Sequence, residues 1–408
     1  MVAPPYDVIS ERMREELYRL SPHNVVRVIL GKERKGDNRA ANKYKRAARY
    51  LDSWIENAIL RRDDKEALYL YQQNYLYKSG LKKRIGFIGL MKIEDPSSSL
   101  VLPHEYTFSK PKADRFNLIK ETKANTSPIF CIFRDSGDKV TSSLRSAASS
   151  AAPAIDIELE GVRHRVWKLT DRKRISRISK AMASKQVFIA DGHHRYEVAL
   201  AYRNRMRRLL KKKDAGPYEN VMVYFSSLTD ENLVIFSTYR VIKSLGKMKW
   251  QDIEKRLSGY FTVSRVRDGE TMFAKLEKVK SGYAFGIYYK DGGFRVIKLK
   301  DSSVLDEVIK ADKSRVWKRL NVTVLHFLVF DHILKVDKTR ANDKNIIYTK
   351  DEKHAVRLVD EGTCDIAFFQ LPTKVDEVRN IARNGDRMPH KSTYFYPKLL
   401  TGLVLNKF

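Results

Sequence analysis

One stretch of the chain, residues 187–200, restricts its fold more than any other. Residues 187–190 are apolar, as in a buried strand, and a polar turn at 191–195 follows them. Beyond the turn, apolar residues recur at helical spacing as far as Leu210. The pattern predicts a strand, a tight turn and a helix, the unit from which α/β folds are built.

The turn has the residue types of an anion site. N–H groups in the first turn of a helix have no intrahelical acceptor, so they favour a bound anion such as phosphate. Gly192 lets the chain approach a ligand closely, and Arg195 adds a cationic fork. A simpler interpretation stays open, in which Asp191 caps the helix and His193 and His194 are ordinary polar loop residues.

The string Asp-Gly-His-His-Arg at 191–195 resembles the phosphate loop of the ParB/sulfiredoxin-like superfamily, which includes a free-serine kinase, sulfiredoxin and the ParB partition proteins. Further blocks accompany it: APPYDVI at 3–9, PHEYT at 103–107 with KADR at 112–115, and MPHKSTYFYPK at 388–398. Together they resemble one family of that superfamily, long described as a domain of unknown function, family ten-fifteen. The blocks run in order from end to end, so the resemblance covers nearly the whole chain.

The resemblance implies a small-molecule kinase that phosphorylates free L-serine to O-phospho-L-serine. The donor stays open among ATP, ADP and pyrophosphate, because the sequence contains no familiar nucleotide-binding motif. We assign Asp191, Gly192, His193, His194 and Arg195 to the donor phosphates, with His194 also among the catalytic groups. Asp191 is the predicted ligand of a Mg²⁺ cofactor.

Two carboxylates outside the turn are candidate general bases. Phosphoryl transfer to an alcohol needs a carboxylate near the incoming hydroxyl. We assign Glu105 as the base, and Asp7 as a base or as a ligand of the metal or of the substrate ammonium. The motifs do not decide between the two residues.

Cationic and polar residues of the other blocks complete the predicted site. Lys112 and Arg115 are assigned to a phosphate, because they share one helix face and can reach one anion, although a solvent-facing, ion-paired helix start is the alternative. Lys391 is assigned to a phosphate, although its block can equally be a structural closing strand. The residues assigned to the substrate are Tyr6, His104, Asp114, Ser392 and Thr393.

Composition keeps a second function open. The chain has 79 Lys and Arg against 49 Asp and Glu, a formal net charge of +30, and such a surface attracts anions. The alternative is therefore a ParB-like, nucleotide-dependent nucleic-acid-binding protein, although no nucleic-acid-binding signature accompanies the charge. A sulfiredoxin-like reductase is disfavoured, because that chemistry needs a loop cysteine where this chain has histidine.

The sequence predicts a cytoplasmic protein with no membrane association. Its two cysteines form no C-x-x-C pair, and no apolar run reaches the ~18 residues of a membrane helix. The N-terminus also lacks the basic and apolar regions of a secretory signal.

The expected fold class is α/β (α+β), with a ParB/sulfiredoxin-like mixed sheet and helices. We predict a phosphotransferase core at 1–244, a small α+β subdomain at 245–302, and a C-terminal segment at 303–408 that returns to the core. A strand also precedes the first block in the family that the chain resembles. We therefore expect that strand to be trimmed or lost here.

Overall fold

The structure is a computed structural model that describes residues 1–78, 80–211, 216–290, 292–336 and 345–408. Within them, no helix is long and apolar enough to cross a membrane. The chain divides into two compact units. The first comprises Met1–Pro103, Thr107–Val234 and Pro397–Phe408, and the second comprises His104–Tyr106 and Ile235–Tyr396.

The helices of the described residues lie in both units. They are α1 (Glu11–Leu20), α2 (Val26–Ile29), α3 (Lys43–Glu56), α4 (Ser109–Thr122), α5 (Lys139–Ser149), α6 (Arg172–Met182), α7 (His193–Leu210), α8 (Trp250–Ser258), α9 (Gly269–Glu277), α10 (Val304–Val308), α11 (Arg315–Lys318), α12 (Asn321–Val324), α13 (Glu352–Asp360) and α14 (Val375–Arg383). A π-helical segment, Leu325–Ile333, continues α12.

The strands of the described residues also belong to both units. They are β1 (Leu68–Tyr77), β2 (Gly80–Lys92), β3 (Val101–Leu102), β4 (Ala124–Asn125), β5 (Ile129–Phe133), β6 (Ile155–Leu159), β7 (Val162–Leu169), β8 (Val187–Asp191), β9 (Asn220–Ser227), β10 (Val234–Phe236), β11 (Tyr239–Ile242), β12 (Phe261–Arg265), β13 (Ala284–Tyr289), β14 (Gly293–Leu299), β15 (Ile346–Thr349), β16 (Ile366–Phe369), β17 (Tyr394–Tyr396) and β18 (Asn406–Lys407). The predicted mixed α/β class is confirmed.

An eight-stranded mixed sheet organises the first unit, in the order β3-β8-β5-β9-β2-β1-β7-β6. The pairs β3/β8 and β5/β9 are parallel, whereas the other neighbours are antiparallel. Helices α5, α6 and α7 contribute Leu144, Ile178 and Ala199 to the apolar core on this sheet. Strand β8, which leads into the predicted turn, and its neighbour β5 both lie inside the sheet rather than at its edge, and both are almost entirely buried.

Local sequence signals explain several element boundaries. The hydroxyl of Ser10 accepts a hydrogen bond from the N–H of Met13 and caps α1. Glu160 and Gly161 both adopt positive φ, 50° and 72°, so they form the tight hairpin turn between β6 and β7. Tyrosines alternate along β1, and among them Tyr71 is fully buried within the sheet's packing. Sheet packing, the favoured interpretation of such an alternation, accounts for its burial.

The second unit contains a six-stranded antiparallel sheet, in the order β12-β14-β13-β16-β11-β15. Helices α9 and α13 supply Met272, Leu276 and Ala355 to its core. Residues from the predicted segments 245–302 and 303–408 both add strands to this sheet. The domain boundaries at 244 and 302 stay a prediction.

One strand lies elsewhere than the sequence indicates. Apolar residues 233–236 follow β9 closely in the sequence, so one would expect them to extend the large sheet, but β10 pairs with β17 in a separate two-stranded sheet. There, Phe236 stacks on Tyr396 with ring centroids 4.3 Å apart. Strand propensity identified the strand, but its partner lies about 160 residues further along the chain and leaves no local signal.

Candidate anion site

The turn between β8 and α7 has the geometry that its sequence predicts. Strand β8 ends at Asp191, Gly192 adopts φ 94° and ψ 30°, and α7 begins at His193. This left-handed conformation favours glycine. The N–H of Tyr196 donates to the carbonyl of Gly192 at 3.0 Å, which closes the first turn of the helix.

Two cations neutralise Asp191 at this turn. Nη2 of Arg195 donates to Oδ2 of Asp191 at 2.7 Å, and Nζ of Lys398 donates to Oδ1. Nη1 of Arg195 also donates to the carbonyl of Pro128. The guanidinium is therefore fixed in one orientation beside the turn before any ligand binds.

A buried network holds Lys398 in position. The carbonyl of Lys398 accepts from Nε2 of Gln73 at 3.0 Å, and that of Pro397 accepts from Nη2 of Arg84 at 2.6 Å. Arg84 and Gln73 are both fully buried and also bond to each other. The end of the chain is thus tied to strands β1 and β2 of the large sheet.

Tyr71 extends this network to His164 of β7. The N–H of Leu400 donates to the hydroxyl of Tyr71 at 3.3 Å, and that hydroxyl lies 2.7 Å from Nδ1 of His164. Burial, with a smaller contribution from Arg84, lowers the pKa of His164 to about 4. The imidazole is therefore neutral, and a hydrogen bond joins its Nδ1 to the hydroxyl of Tyr71.

The two histidines of the turn differ in their surroundings. His193 is buried, with 3% of its surface exposed. Nε2 of His194 accepts from the N–H of Phe108 at 2.9 Å, so in this arrangement its ring proton is on Nδ1. A hydrogen bond from His194 to a phosphoryl oxygen would have to come from Nδ1, which refines the predicted role.

Lys112 contacts a residue that the sequence analysis missed. Its Nζ lies 3.0 Å from Oε2 of Glu197 on α7, and the hydroxyl of Thr107 donates to the same oxygen at 2.6 Å. Burial raises the pKa of Glu197, but these two partners outweigh it and lower the pKa below its usual value. Glu197 lies one helical turn after His193, a spacing that indicates a shared helix face.

Arg115 contacts Tyr6, whereas Lys112 contacts Glu197. Cζ of Arg115 lies 4.0 Å from the ring centroid of Tyr6, and its Nε donates to Asp114 at 2.9 Å. Asp114 also accepts from the hydroxyl of Tyr44 at 2.8 Å and lies 3.1 Å from Nζ of Lys43. Burial raises the pKa of Asp114, yet Arg115 and the other partners together lower it.

A cavity of about 50 Å³ lies between these groups in the first unit. Its polar lining includes Tyr6, Arg115, Arg195 and the hydroxyl-bearing pair Thr126 and Ser127. Burial and the neighbouring Asp7 raise the pKa of Tyr6, while Arg115 and Arg195 oppose that change. No sequence motif pointed to Thr126 and Ser127, which follow the short strand β4.

The remaining predicted residues lie in the second unit, apart from exposed Asp7 in the first. Nε2 of His104 lies 3.0 Å from the hydroxyl of Thr393, which donates to Glu105 at 3.4 Å. The carbonyl of His104 accepts from the N–H of Met388 at 2.7 Å. The second and fourth sequence blocks therefore meet in this unit.

Lys391 and Ser392 are held by main-chain contacts of the same unit. The carbonyl of Lys391 accepts from Nη2 of the buried Arg240 at 3.1 Å, and that of Ser392 accepts from Thr373 at 3.0 Å. The side chain of Lys391 is exposed and its φ is 55°. Its assignment to a phosphate stays a prediction.

The residues at the turn do not fit a metal ion held by the protein alone. No cluster of three or more His, Cys, Asp or Glu with the arrangement of a metal site occurs among the described residues. Asp191, the predicted ligand, already binds the cations of Arg195 and Lys398. These positive charges compete with Mg²⁺ for the carboxylate.

Comparison with known proteins gives one family match. The model of the family described as "Protein of unknown function (DUF1015)" matches residues 1–323. The first three sequence blocks lie inside these residues, and the fourth, at 388–398, lies outside them. None of the curated proteins matches the chain.

Solved structures show only weak similarity. A conserved hypothetical protein from Pyrococcus furiosus is 14% identical, with a TM-score of 0.36 and coverage of 76% of this chain and 92% of that one. A free serine kinase in complex with AMP is 12% identical, with a TM-score of 0.37 and coverage of 76% and 86%. SbnI with a C-terminal truncation, from Staphylococcus aureus, is 10% identical, with a TM-score of 0.36 and coverage of 77% and 85%. TM-scores this low carry no functional assignment.

Proposed function

The chain belongs to the DUF1015 family, and we propose that it is a small-molecule kinase that phosphorylates the hydroxyl of free L-serine. Family membership was inferred from the four sequence blocks and is confirmed, whereas the ParB/sulfiredoxin-like superfamily stays a prediction. The assignment of serine rests on the resemblance of those blocks to free-serine kinases. Its donor is a di- or triphosphate: pyrophosphate, ADP or ATP.

One observation supports the proposal above the others, namely the turn Asp191–Arg195 at the start of the 18-residue helix α7. The first-turn amides of such a helix attract anions, and the fixed guanidinium of Arg195 adds a positive charge beside them. Lys398 contributes a second cation through Asp191. Preorganised cations and amides of this kind stabilise the charge that develops on a transferred phosphoryl group.

In the proposed reaction, the hydroxyl oxygen of serine attacks the terminal phosphorus of the donor. The bond from that phosphorus to its bridging oxygen breaks, and the shortened donor leaves with the electron pair. The hydroxyl proton passes to a carboxylate, for which Glu105 and Asp7 are the candidates. Mg²⁺ enters this proposal only as a counter-ion of the donor phosphates. The substrate roles of Tyr6, His104, Asp114, Ser392 and Thr393 stay predictions.

The proposal is tested by incubating the protein with L-serine, Mg²⁺ and each of the three donors, with phosphorus NMR as the readout. We expect phosphoserine from at least one donor. Arg195→Gln should lower the rate at least about 100-fold, because a charge-assisted contact to the phosphoryl group is lost. Arg205→Gln is the matched control, an exposed arginine on the same helix. Equal activity of the two variants would remove the turn from the site.

The net charge of +30 supports a second candidate, a ParB-like nucleic-acid-binding protein. It requires tight binding of duplex DNA with an affinity that falls steeply as salt is added. A salt titration on duplex DNA therefore separates the two candidates. Tight, strongly salt-dependent binding without any phosphoserine formation would favour the second.

A further inference from the structure

Two guanidiniums line the cavity beside the turn, and each is also paired with an aspartate outside the lining, Arg115 with Asp114 and Arg195 with Asp191. The lining of the cavity, all within the first unit, contains the guanidiniums of Arg115 and Arg195 but no Asp or Glu. The rest of the lining is mainly apolar, with Leu118, Ile129 and Val198 among its walls. Cations facing a small, partly apolar space favour an anion that enters without its full hydration shell.

Several donors that face this space have unused hydrogen-bonding capacity. Arg115 is 8% exposed. Its Nε and Nη2 both donate to Asp114, whereas its Nη1 has no hydrogen-bond partner among the described residues. Likewise, Nε of Arg195 and the hydroxyls of Tyr6 and Thr126 have no hydrogen-bond partner in the described part of the chain. Because these donors have no partner in the described part of the chain, a ligand that enters the cavity can accept hydrogen bonds from them.

The volume of about 50 Å³ indicates the size of the group that can satisfy these donors. A single water molecule needs roughly 10–15 Å³ of such space, so a group of several heavy atoms fits. A carboxylate is planar and accepts two parallel hydrogen bonds from a guanidinium fork. The raised pKa of Tyr6 keeps its hydroxyl protonated and able to donate as well.

Because of Asp7, the carboxylate group of an amino acid fits this cavity better than a phosphate does. Asp7 does not line the cavity, but it is exposed, directly follows the lining residue Tyr6 and lies close enough to raise the pKa of that tyrosine. An anion-binding cavity beside an accessible carboxylate is complementary to a molecule that carries one carboxylate and one ammonium. A phosphate group lacks the second charge.

We propose that Arg115, Tyr6 and Thr126 bind the carboxylate of the acceptor, so that the enzyme selects acceptors with a free carboxylate. This inference rests on the proposed function, because it names a subsite for the molecule that is phosphorylated. The donor phosphates remain at the turn of residues 191–195. Arg195 lies between the two subsites and contributes Nε to the carboxylate.

The test is calorimetric titration of L-serine, L-serinamide and pyrophosphate into the wild-type protein and Arg115→Gln. We expect Arg115→Gln to weaken L-serine binding about 10- to 100-fold, the effect of a lost charge-assisted hydrogen bond. L-serinamide should bind the wild-type protein weakly, and Arg115→Gln should not change its affinity. Pyrophosphate affinity should stay unchanged.

Two further variants keep the test decisive. Tyr6→Phe removes only a hydroxyl and retains the ring against Arg115, so it should weaken L-serine binding even if Arg115→Gln does not fold. Lys120→Gln is the matched control, because Lys120 lies on the same helix α4 with its side chain 48% exposed. It should leave all three affinities unchanged.

The outcomes also separate this inference from the proposed function. A panel of small carboxylates and their amides is titrated in parallel with the transfer assay. Arg115-dependent carboxylate binding without phosphoryl transfer supports the subsite and rejects the kinase. Phosphorylation of serine and serinamide alike, unaffected by Arg115→Gln, supports the kinase and overturns the subsite. Loss of pyrophosphate binding in Arg115→Gln, or no Arg115-dependent carboxylate binding at all, also overturns the subsite.

Discussion

Lys398 donates a hydrogen bond to Asp191 across 207 residues of sequence, and each of the two side chains is only 16% exposed. The last block of the chain therefore completes the turn that begins α7. Lys398 and Arg195 share the carboxylate of Asp191. Without Lys398, that carboxylate would hold the guanidinium of Arg195 more strongly and away from a bound phosphate.

We expect Lys398→Met to weaken pyrophosphate binding about tenfold and to lower the free energy of unfolding by about 1–3 kcal/mol. Titration calorimetry and urea denaturation measure the two effects. Lys120→Met is the control, because Lys120 has a half-exposed side chain and pairs with its chain neighbour Glu121. Surface pairs of that kind contribute at most about 1 kcal/mol. Equal effects of the two substitutions would contradict a specific role for Lys398.

Gly192→Ala should damage the turn in two separable ways. Its φ of 94° is strained for alanine, and an added Cβ would lie 2.8 Å from Nη2 of Arg195. Gly161→Ala isolates the first effect, because its φ is 72° and no atom lies within 4 Å of the added Cβ. Both variants should lose about 1–2 kcal/mol of stability from the left-handed backbone. Only Gly192→Ala should also lose pyrophosphate affinity, since only there must Arg195 move.

The sequence was sufficient to predict those elements of the fold that a short local pattern determines. Apolar residues followed by Gly192 predicted β8, the turn and α7, because strand burial and helix spacing are local properties. The contacts of Lys398 with Asp191 and of Lys112 with Glu197 join distant segments, so no local pattern identifies them. Sheet pairing likewise depends on the tertiary fold, which is why no local pattern indicates that β10 pairs with β17 rather than with the large sheet.

Because the pKa of His164 is lowered in the folded protein, we expect the protein to lose stability in mild acid. That pKa is about 4 in the folded protein against an ordinary 6.5, so between these values only the unfolded chain takes up the proton. The contribution of neutral His164 is thus complete above pH 6.5 and is lost as the pH falls towards about 4. The slope from this one group is at most about 1.4 kcal/mol per pH unit.

The measurement is urea denaturation across this pH range for the wild-type protein and His164→Asn. The asparagine amide can still form a hydrogen bond with Tyr71 but does not titrate, so the variant should show a shallower dependence on pH. At pH values above 6.5 the difference between the two proteins should be constant. An identical slope in both proteins would show that the imidazole does not titrate as the structure implies.

Glu105 and Asp7 are predicted to have different kinetic roles, which substitution can separate. Glu105→Gln should lower kcat by about 10²- to 10⁴-fold, the usual contribution of a general base, and abolish the acid limb of the pH–rate profile. Asp7→Asn should instead raise KM for L-serine about tenfold, because a charge-assisted contact to the ammonium is lost. Glu361→Gln is the matched control for Glu105, because Glu361 is an exposed glutamate of the same unit. If Asp7→Asn were the variant that lost kcat and its pH dependence, the two roles would be exchanged, and Asp7 would be the base.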